Sequence, residues 1–281
     1  MHHVFARAVA VAVIAASAPA IAAGAPATAA NEPAKPFTVS GTVALTNDYR
    51  FRGVSQSDKG FAIQGGITVA HTSGFYAGFW ASNLAGWGTF GGPNLELDLI
   101  GGYKLPVGTG TLDAGLTWYM YPGGANKTDF AEPYIKLSGT AGPVSLLAGV
   151  AYAPSQQALG NWFATPESVA GDKEDNLYVW GDGAAGIPGT PITIKGHIGY
   201  SNGNPGLGPN GTSVAPTGSY WDWLIGADVA VGPVVLGIAY VDTDISTSTL
   251  EYQRLQPNFS STKDGSTIAG SKVVFTVSAA F

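Results

Sequence analysis

Cysteine is absent from the 281 residues, which excludes a disulfide framework, thiolate catalysis and a thiolate metal site. Charge is scarce as well. Only 11% of residues are Asp, Glu, Lys or Arg, against about 25% in ordinary globular chains. A soluble domain with a charged, water-facing surface fits that composition poorly. Basic residues are the scarcer sign: 13 Lys and Arg stand against 19 Asp and Glu, a formal charge of −6. An acidic chain carries no electrostatic footprint for nucleic acid. Beyond the N-terminal segment there is no apolar run of about 18 residues or more, so no spanning helix is expected. That absence leaves a spanning barrel open, because its strands need only about 9–11 residues that alternate apolar and polar.

Turn formers and aromatics are plentiful, with 40 Gly, 18 Pro and 11% Phe, Trp and Tyr. Together with Ser and Thr they suit many short strands and turns. The N-terminus reads as an export signal over residues 1–22. Met1 to Arg7 is weakly basic, Val9 to Ala18 is apolar, and Ala20-Ile21-Ala22 fits a small-residue cleavage site. Ala27-Thr28-Ala29 gives an alternative cleavage near residue 29. A retained membrane anchor is the competing reading, but Pro19 breaks the run and Ala dominates it. Loss of Arg7 moves the formal charge from −6 to −7. Residues 23–36 form an Ala/Pro-rich linker.

From Phe37 onward the period is 2, not 3.6. Phe37, Val39, Val43, Leu45, Tyr49 and Phe51 share one parity, and Thr38, Ser40, Thr42, Asp48, Arg50 and Arg52 take the other. Similar alternation recurs in eleven further segments, the last being Val273, Phe275, Val277, Ala279 and Phe281. Short turns such as Gly142-Pro143 and Gly232-Pro233 alternate with long Gly/Pro/Asn-rich loops. The expected fold is therefore all-β: a single transmembrane antiparallel β-barrel of 12 strands over residues 37–281, with short periplasmic turns and long extracellular loops. The implied location is the outer membrane of a Gram-negative bacterium. A soluble β-sandwich also alternates, but its polar face would carry more Lys and Glu, whereas here the apolar face is the continuous one, as lipid requires. Phe281, closing an aromatic strand, is expected to be the C-terminal signal read by the barrel-assembly machinery.

Several motifs point to a family. Asn47-Asp48-Tyr49-Arg50-Phe51-Arg52-Gly53-Val54-Ser55-Gln56, followed by Gln64-Gly65-Gly66, resembles the opening signature of the TorF family of proteobacterial porins. Gly78 to Asn83, Glu96-Leu97-Asp98, Tyr119 to Pro122 and Val274 to Ser278 are similar to that family too. The resemblance implies an exported outer-membrane barrel, assigned as a porin largely by inference, and brings no established catalytic residues. The segments 154–175 and 203–219 lie outside the shared motifs.

Within such a barrel Arg50, Arg52, Glu96 and Asp98 fall on the polar parity near loop ends, where opposite charges can pair across the lumen or narrow an eyelet. Lys136, Lys195 and Asp222 are further lumen candidates, as are His197 and Asp228. By parity the inward acids Glu96, Asp98, Asp113, Asp222 and Asp228 balance Arg50, Arg52, Lys104, Lys136 and Lys195, while the loops are acidic. The expectation is weak cation selectivity, increased when Arg50 and Arg52 are removed. His197 and Ser201 lie four apart on one strand, about 13 Å, too far for a catalytic dyad. No catalytic residue, metal site or cofactor is expected, since the four His are scattered and two lie in the signal. Trp80, Trp87, Trp118, Tyr119, Tyr121, Trp221 and Trp223 are expected in one interfacial aromatic girdle and Phe37, Phe75, Tyr103 and Phe281 in the other. The function implied is passive diffusion of small hydrophilic solutes or ions, with outer-membrane lipid as the surroundings. The alternative is a closed structural or adhesive barrel whose loops bind partners.

Overall fold

The structure is a computed structural model and describes residues 36–86, 92–160, 169, 171–207 and 214–281. The expected export signal and the linker up to residue 35 lie outside these residues. Twelve long strands form the wall: β1 (Phe37–Thr46), β4 (Ala62–His71), β5 (Phe75–Asn83), β6 (Leu95–Val107), β7 (Gly110–Met120), β8 (Phe130–Ala141), β9 (Val144–Gln156), β10 (Glu174–Gly186), β11 (Ile192–Gly203), β12 (Ser219–Val231), β13 (Val234–Thr243) and β14 (Lys272–Ala280). They pair antiparallel in sequence order, and β1 closes the barrel between β14 and β4. Closure removes every sheet edge, as a bilayer demands. Among the described residues no helix is long and apolar enough to cross a membrane. A five-residue helix, α1 (Leu250–Arg254), sits in the loop after β13.

The alternation sets which way each side chain points. Val43, Leu99, Ile135, Ile198, Ile225 and Phe275 are exposed on the outside, while Thr46, Gln64, Asp98, Thr117, Lys136, Lys195 and Asp222 on the opposite parity are buried. The closed barrel thus presents a continuous apolar exterior and a polar interior, the arrangement of an outer-membrane barrel of Gram-negative bacteria. Trp118, Trp221, Phe37, Phe75, Tyr103 and Phe281 are exposed, in keeping with interfacial girdles. The tight turns share one end. Ala141 pairs with Val144 and Val231 with Val234, leaving two-residue turns whose leading glycines, Gly142 and Gly232, both have φ 60°. Glycine first, with positive φ, is the turn that matches strand twist.

Interior glycines make room for interior aromatics. Gly102 lies directly across from Tyr76, Gly115 from Tyr134 and Gly149 from Trp180. A β-carbon on Gly102 would stand 2.6 Å from the Tyr76 hydroxyl, and one on Gly115 would stand 2.5 Å from that of Tyr134. Each aromatic side chain thus occupies the space of a missing one. At the seam the Phe281 ring covers Gly41 in the same way, and the two backbones exchange hydrogen bonds of 2.8 and 3.0 Å.

The first strand departs from expectation. Its alternation continues in sequence to Arg52, yet β1 ends at Thr46. The chain then turns inward as a separate hairpin, β2 (Arg50–Phe51) with β3 (Val54–Ser55), which pairs with no wall strand. Asp48 forces the bend by accepting from Arg50 Nε at 2.7 Å and Ser55 Oγ at 2.5 Å. Arg52 and Gly53, both at positive φ, form its tip. Tyr49 and Phe51, expected toward lipid, are consequently buried inside the barrel.

Candidate functional site: the barrel lumen

The loop-side half of the lumen is occupied by the β2–β3 hairpin. Tyr49 and Phe51 pack with Tyr119, Tyr121, Phe130 and Leu159, with Phe51 edge-on to Tyr119 and Tyr49 edge-on to Trp80. Three expected girdle aromatics, Trp80, Tyr119 and Tyr121, therefore turn inward as the hairpin's bed. The inward parity of Tyr119, shared with Thr117 and Asp113, carries that signal in the sequence. Trp87 lies outside the described residues. On its other face the hairpin meets the last loop, where Val54 joins Leu255, Phe259, Ile268 and Ala269.

Arg52 is fully buried at the hairpin tip. Its Nη2 contacts both oxygens of Glu132 at 2.6 and 2.7 Å. Its guanidinium lies 4.0 Å above the Tyr178 ring, and Nη1 reaches the Asn176 amide oxygen at 2.9 Å once that amide is oriented to satisfy both its groups. Glu132 follows the Gly/Pro/Asn-rich stretch from Tyr121, which in sequence reads as a long loop. It belongs instead to β8, and extending the inward parity of Tyr134 and Lys136 back across Pro133 would have placed it there. Arg50 pairs with Asp48 at 2.7 Å and donates to the carbonyls of Gly53 and Gly270 at 2.9 and 2.8 Å.

The expected pairing of Arg50 and Arg52 with Glu96 and Asp98 is not formed, because each arginine has a nearer carboxylate. Glu96 and Asp98 sit together on the lumen face of β6, both buried. Glu96 stands beside Tyr49 and Tyr121, while among the described residues Asp98 Oδ1 has no hydrogen-bond partner. Below the hairpin a belt of paired groups crosses the barrel. Lys136 meets Asp113 at 3.4 Å, Lys195 meets Asp228 at 2.6 Å, and His197 bridges Asp182 at 2.6 Å and Asp222 at 3.1 Å. Tyr76 donates to Asp113 at 2.7 Å and shares a short hydrogen bond with Tyr134. Asp182 is a lumen acid that the parity count overlooked.

Packing is tight at this level. The space between Arg52, Glu132, Tyr134, Lys136 and Tyr178 amounts to about 10 Å³, room for one water at most. Toward the turns the wall changes character. Ser40, Thr42, Thr68, Ser138, Thr140, Ser145 and Ser278 point inward and are half-buried or exposed, giving a mouth of short hydroxyl side chains. Among the described residues no group of three or more His, Asp or Glu is arranged to hold a metal.

A model of a bacterial protein family of unknown function, Gcw_chp, matches residues 30–281. No curated protein sequence matches the chain. Among solved structures, similar ones include a porin, 11% identical, covering 87% of this chain and 100% of that one with a TM-score of 0.42. OpdL of Pseudomonas aeruginosa is 13% identical over 86% of this chain and 67% of its own, with a TM-score of 0.36. Wzi of Escherichia coli, an outer-membrane protein involved in group 1 capsule assembly and a carbohydrate-binding β-barrel, is 11% identical over 85% and 55% of the two chains, with a TM-score of 0.36.

Proposed function

The chain belongs to the Gcw_chp family of bacterial proteins of unknown function, and we propose that it is a narrow outer-membrane channel for passive diffusion of small hydrophilic solutes or ions, without catalysis. One observation carries this reading: below the hairpin the interior is lined mainly by ionisable and hydroxyl side chains, with a water-accessible mouth on the turn side. A barrel serving only as an anchor gains nothing from burying that many charges, since buried ion pairs are weak contributors to stability. Twelve strands tilted about 40–45° give a backbone radius of roughly 13 Å, which the side chains and the hairpin then narrow. The constriction we assign consists of Arg52, Lys136, Lys195 and Asp222 with Glu132, and of Arg50, Glu96 and Asp98 at the hairpin. The motif resemblance to TorF-family porins accords with this reading. So does Phe281 as a C-terminal recognition signal for the barrel-assembly machinery, its ring lying exposed at the seam.

The second reading, a closed structural or adhesive barrel, draws on the hairpin that fills the loop-side half. Planar-bilayer recording of the purified, folded protein separates the two. Discrete conductance steps are expected. Their absence, with folding verified by heat-modifiable migration, leaves the closed barrel.

A further inference from the structure

The hairpin is held differently from everything around it. Each long strand is paired with two neighbours in the barrel, whereas β2 and β3 pair only with each other, through Arg50–Ser55 and Phe51–Val54. Apart from its apolar packing on both faces, it is tied to the wall and to the last loop by single hydrogen bonds rather than by a ladder. Arg52 reaches Glu132, the Tyr220 hydroxyl donates to the Arg52 carbonyl at 3.0 Å, and the Ala85 amide donates to the Gln56 carbonyl at 2.9 Å. Just beyond the hairpin, Asp58 accepts from the Thr262 amide and hydroxyl, Lys263 Nζ donates to the Asp58 carbonyl at 2.7 Å, and Lys59 contacts Ser266 and Asp264.

The segment is also strained and incompletely satisfied. Of the four described non-glycine residues at positive φ, three are Arg52, Asp58 and Lys59, at 47°, 51° and 55°. Such conformations persist only where surrounding contacts impose them. Among the described residues Arg50 Nη2 and Arg52 Nε are buried without a hydrogen-bond partner, a cost that water would remove. Off-sheet pairing, left-handed backbone and unsatisfied buried N–H groups coincide in one segment. The wall needs none of it to close, since β1 passes directly to β4 through ten paired residues.

We propose that residues 48–60 are a displaceable stopper, and that the channel opens when this hairpin swings out of the loop-side mouth and closes when Arg52 returns to Glu132. The inference rests on the channel reading above. Asn47 is the fixed end, because its backbone and side chain are bonded to Phe275 of β14 at 3.1 and 2.8 Å. The other end is Gly60, next to the start of β4.

The chain has no cysteine, so the stopper can be pinned and released chemically. A backbone hydrogen bond of 2.9 Å joins Gln56 and Ala85, so cysteines at these two places are the pair chosen to pin the hairpin. In planar bilayers the oxidised Gln56→Cys/Ala85→Cys protein is expected to lose its openings, and dithiothreitol is expected to restore them. Glu132→Gln, which keeps the size and removes the charge, is expected to raise the open probability several-fold. A disulfide-locked protein that conducts like the parent overturns the stopper while the channel reading stands. Failure of the parent, of Glu132→Gln and of a protein with residues 48–59 deleted to conduct, all being folded, overturns both.

Discussion

Gly199 has no room for a β-carbon. One placed there would overlap the Tyr178 hydroxyl and stand 2.7 Å from Asp222 Oδ2, both of which belong to the network around His197. Gly181, on the opposite parity of the neighbouring strand, faces outward, and a β-carbon there would meet nothing nearer than the Leu147 carbonyl at 3.8 Å. The two glycines thus serve different ends, the first steric and the second not. Gly199→Ala is expected to destabilise the barrel by about 1–3 kcal/mol, as overpacking does. Gly181→Ala is expected to be neutral or slightly stabilising, because alanine loses less backbone entropy in a strand. Equilibrium urea unfolding in lipid vesicles measures both. Equal effects would show that Tyr178 moves aside without cost.

At the scale of elements the strands were legible and the hairpin was not. Strict alternation, with lipid on one side and paired charges on the other, writes the wall into the sequence, and the short glycine-led turns mark one end of it. The hairpin escapes because its parity is continuous with β1, and because its two-residue turn is Arg52-Gly53, where Asn-Gly or Asp-Gly would have announced positive φ at both places. Glu132 escapes because Pro133 masks the start of β8. The contact between the first and last loops also joins residues some 200 positions apart in sequence, such as Lys59 and Asp264, and no local pattern predicts that. This latch carries its own titration. The hydroxyl and amide of Ser266, and more weakly Lys59, hold the exposed Asp264 carboxyl down at about 2. The folded value lies below the free value of about 3.9. Whatever the latch contributes is therefore complete above the free value and is lost as pH falls through about 2. Carboxyl NMR of Asp264 is expected to give a midpoint near 2, and a midpoint near 4 would mean that Ser266 does not hold it.

Across the whole molecule the interior charges are not all paired. Arg50, Arg52, Lys136 and Lys195 each lie against one acid, and His197 lies between two. Among the described residues Glu96 and Asp98 form no ion pair, and they stand on the loop-side wall beside Tyr49, which the hairpin presses toward them. Outward movement of the hairpin uncovers these two carboxylates at the mouth. Fixed charge in a narrow, low-dielectric passage concentrates ions of the opposite sign, and salt screens the effect over about 8–10 Å. The open channel is therefore expected to prefer potassium over chloride by a few-fold in dilute salt, with the preference fading in concentrated salt. Glu96→Gln with Asp98→Asn is expected to remove most of it. Arg50→Ala with Arg52→Ala frees a different pair, Asp48 and Glu132, so any gain in cation preference there must disappear when those two acids are also neutralised, and must persist when Glu96 and Asp98 are. Reversal potentials in a potassium chloride gradient decide the matter. Anion preference in the parent, or an unchanged ratio after neutralising Glu96 and Asp98, would place the ion path away from β6.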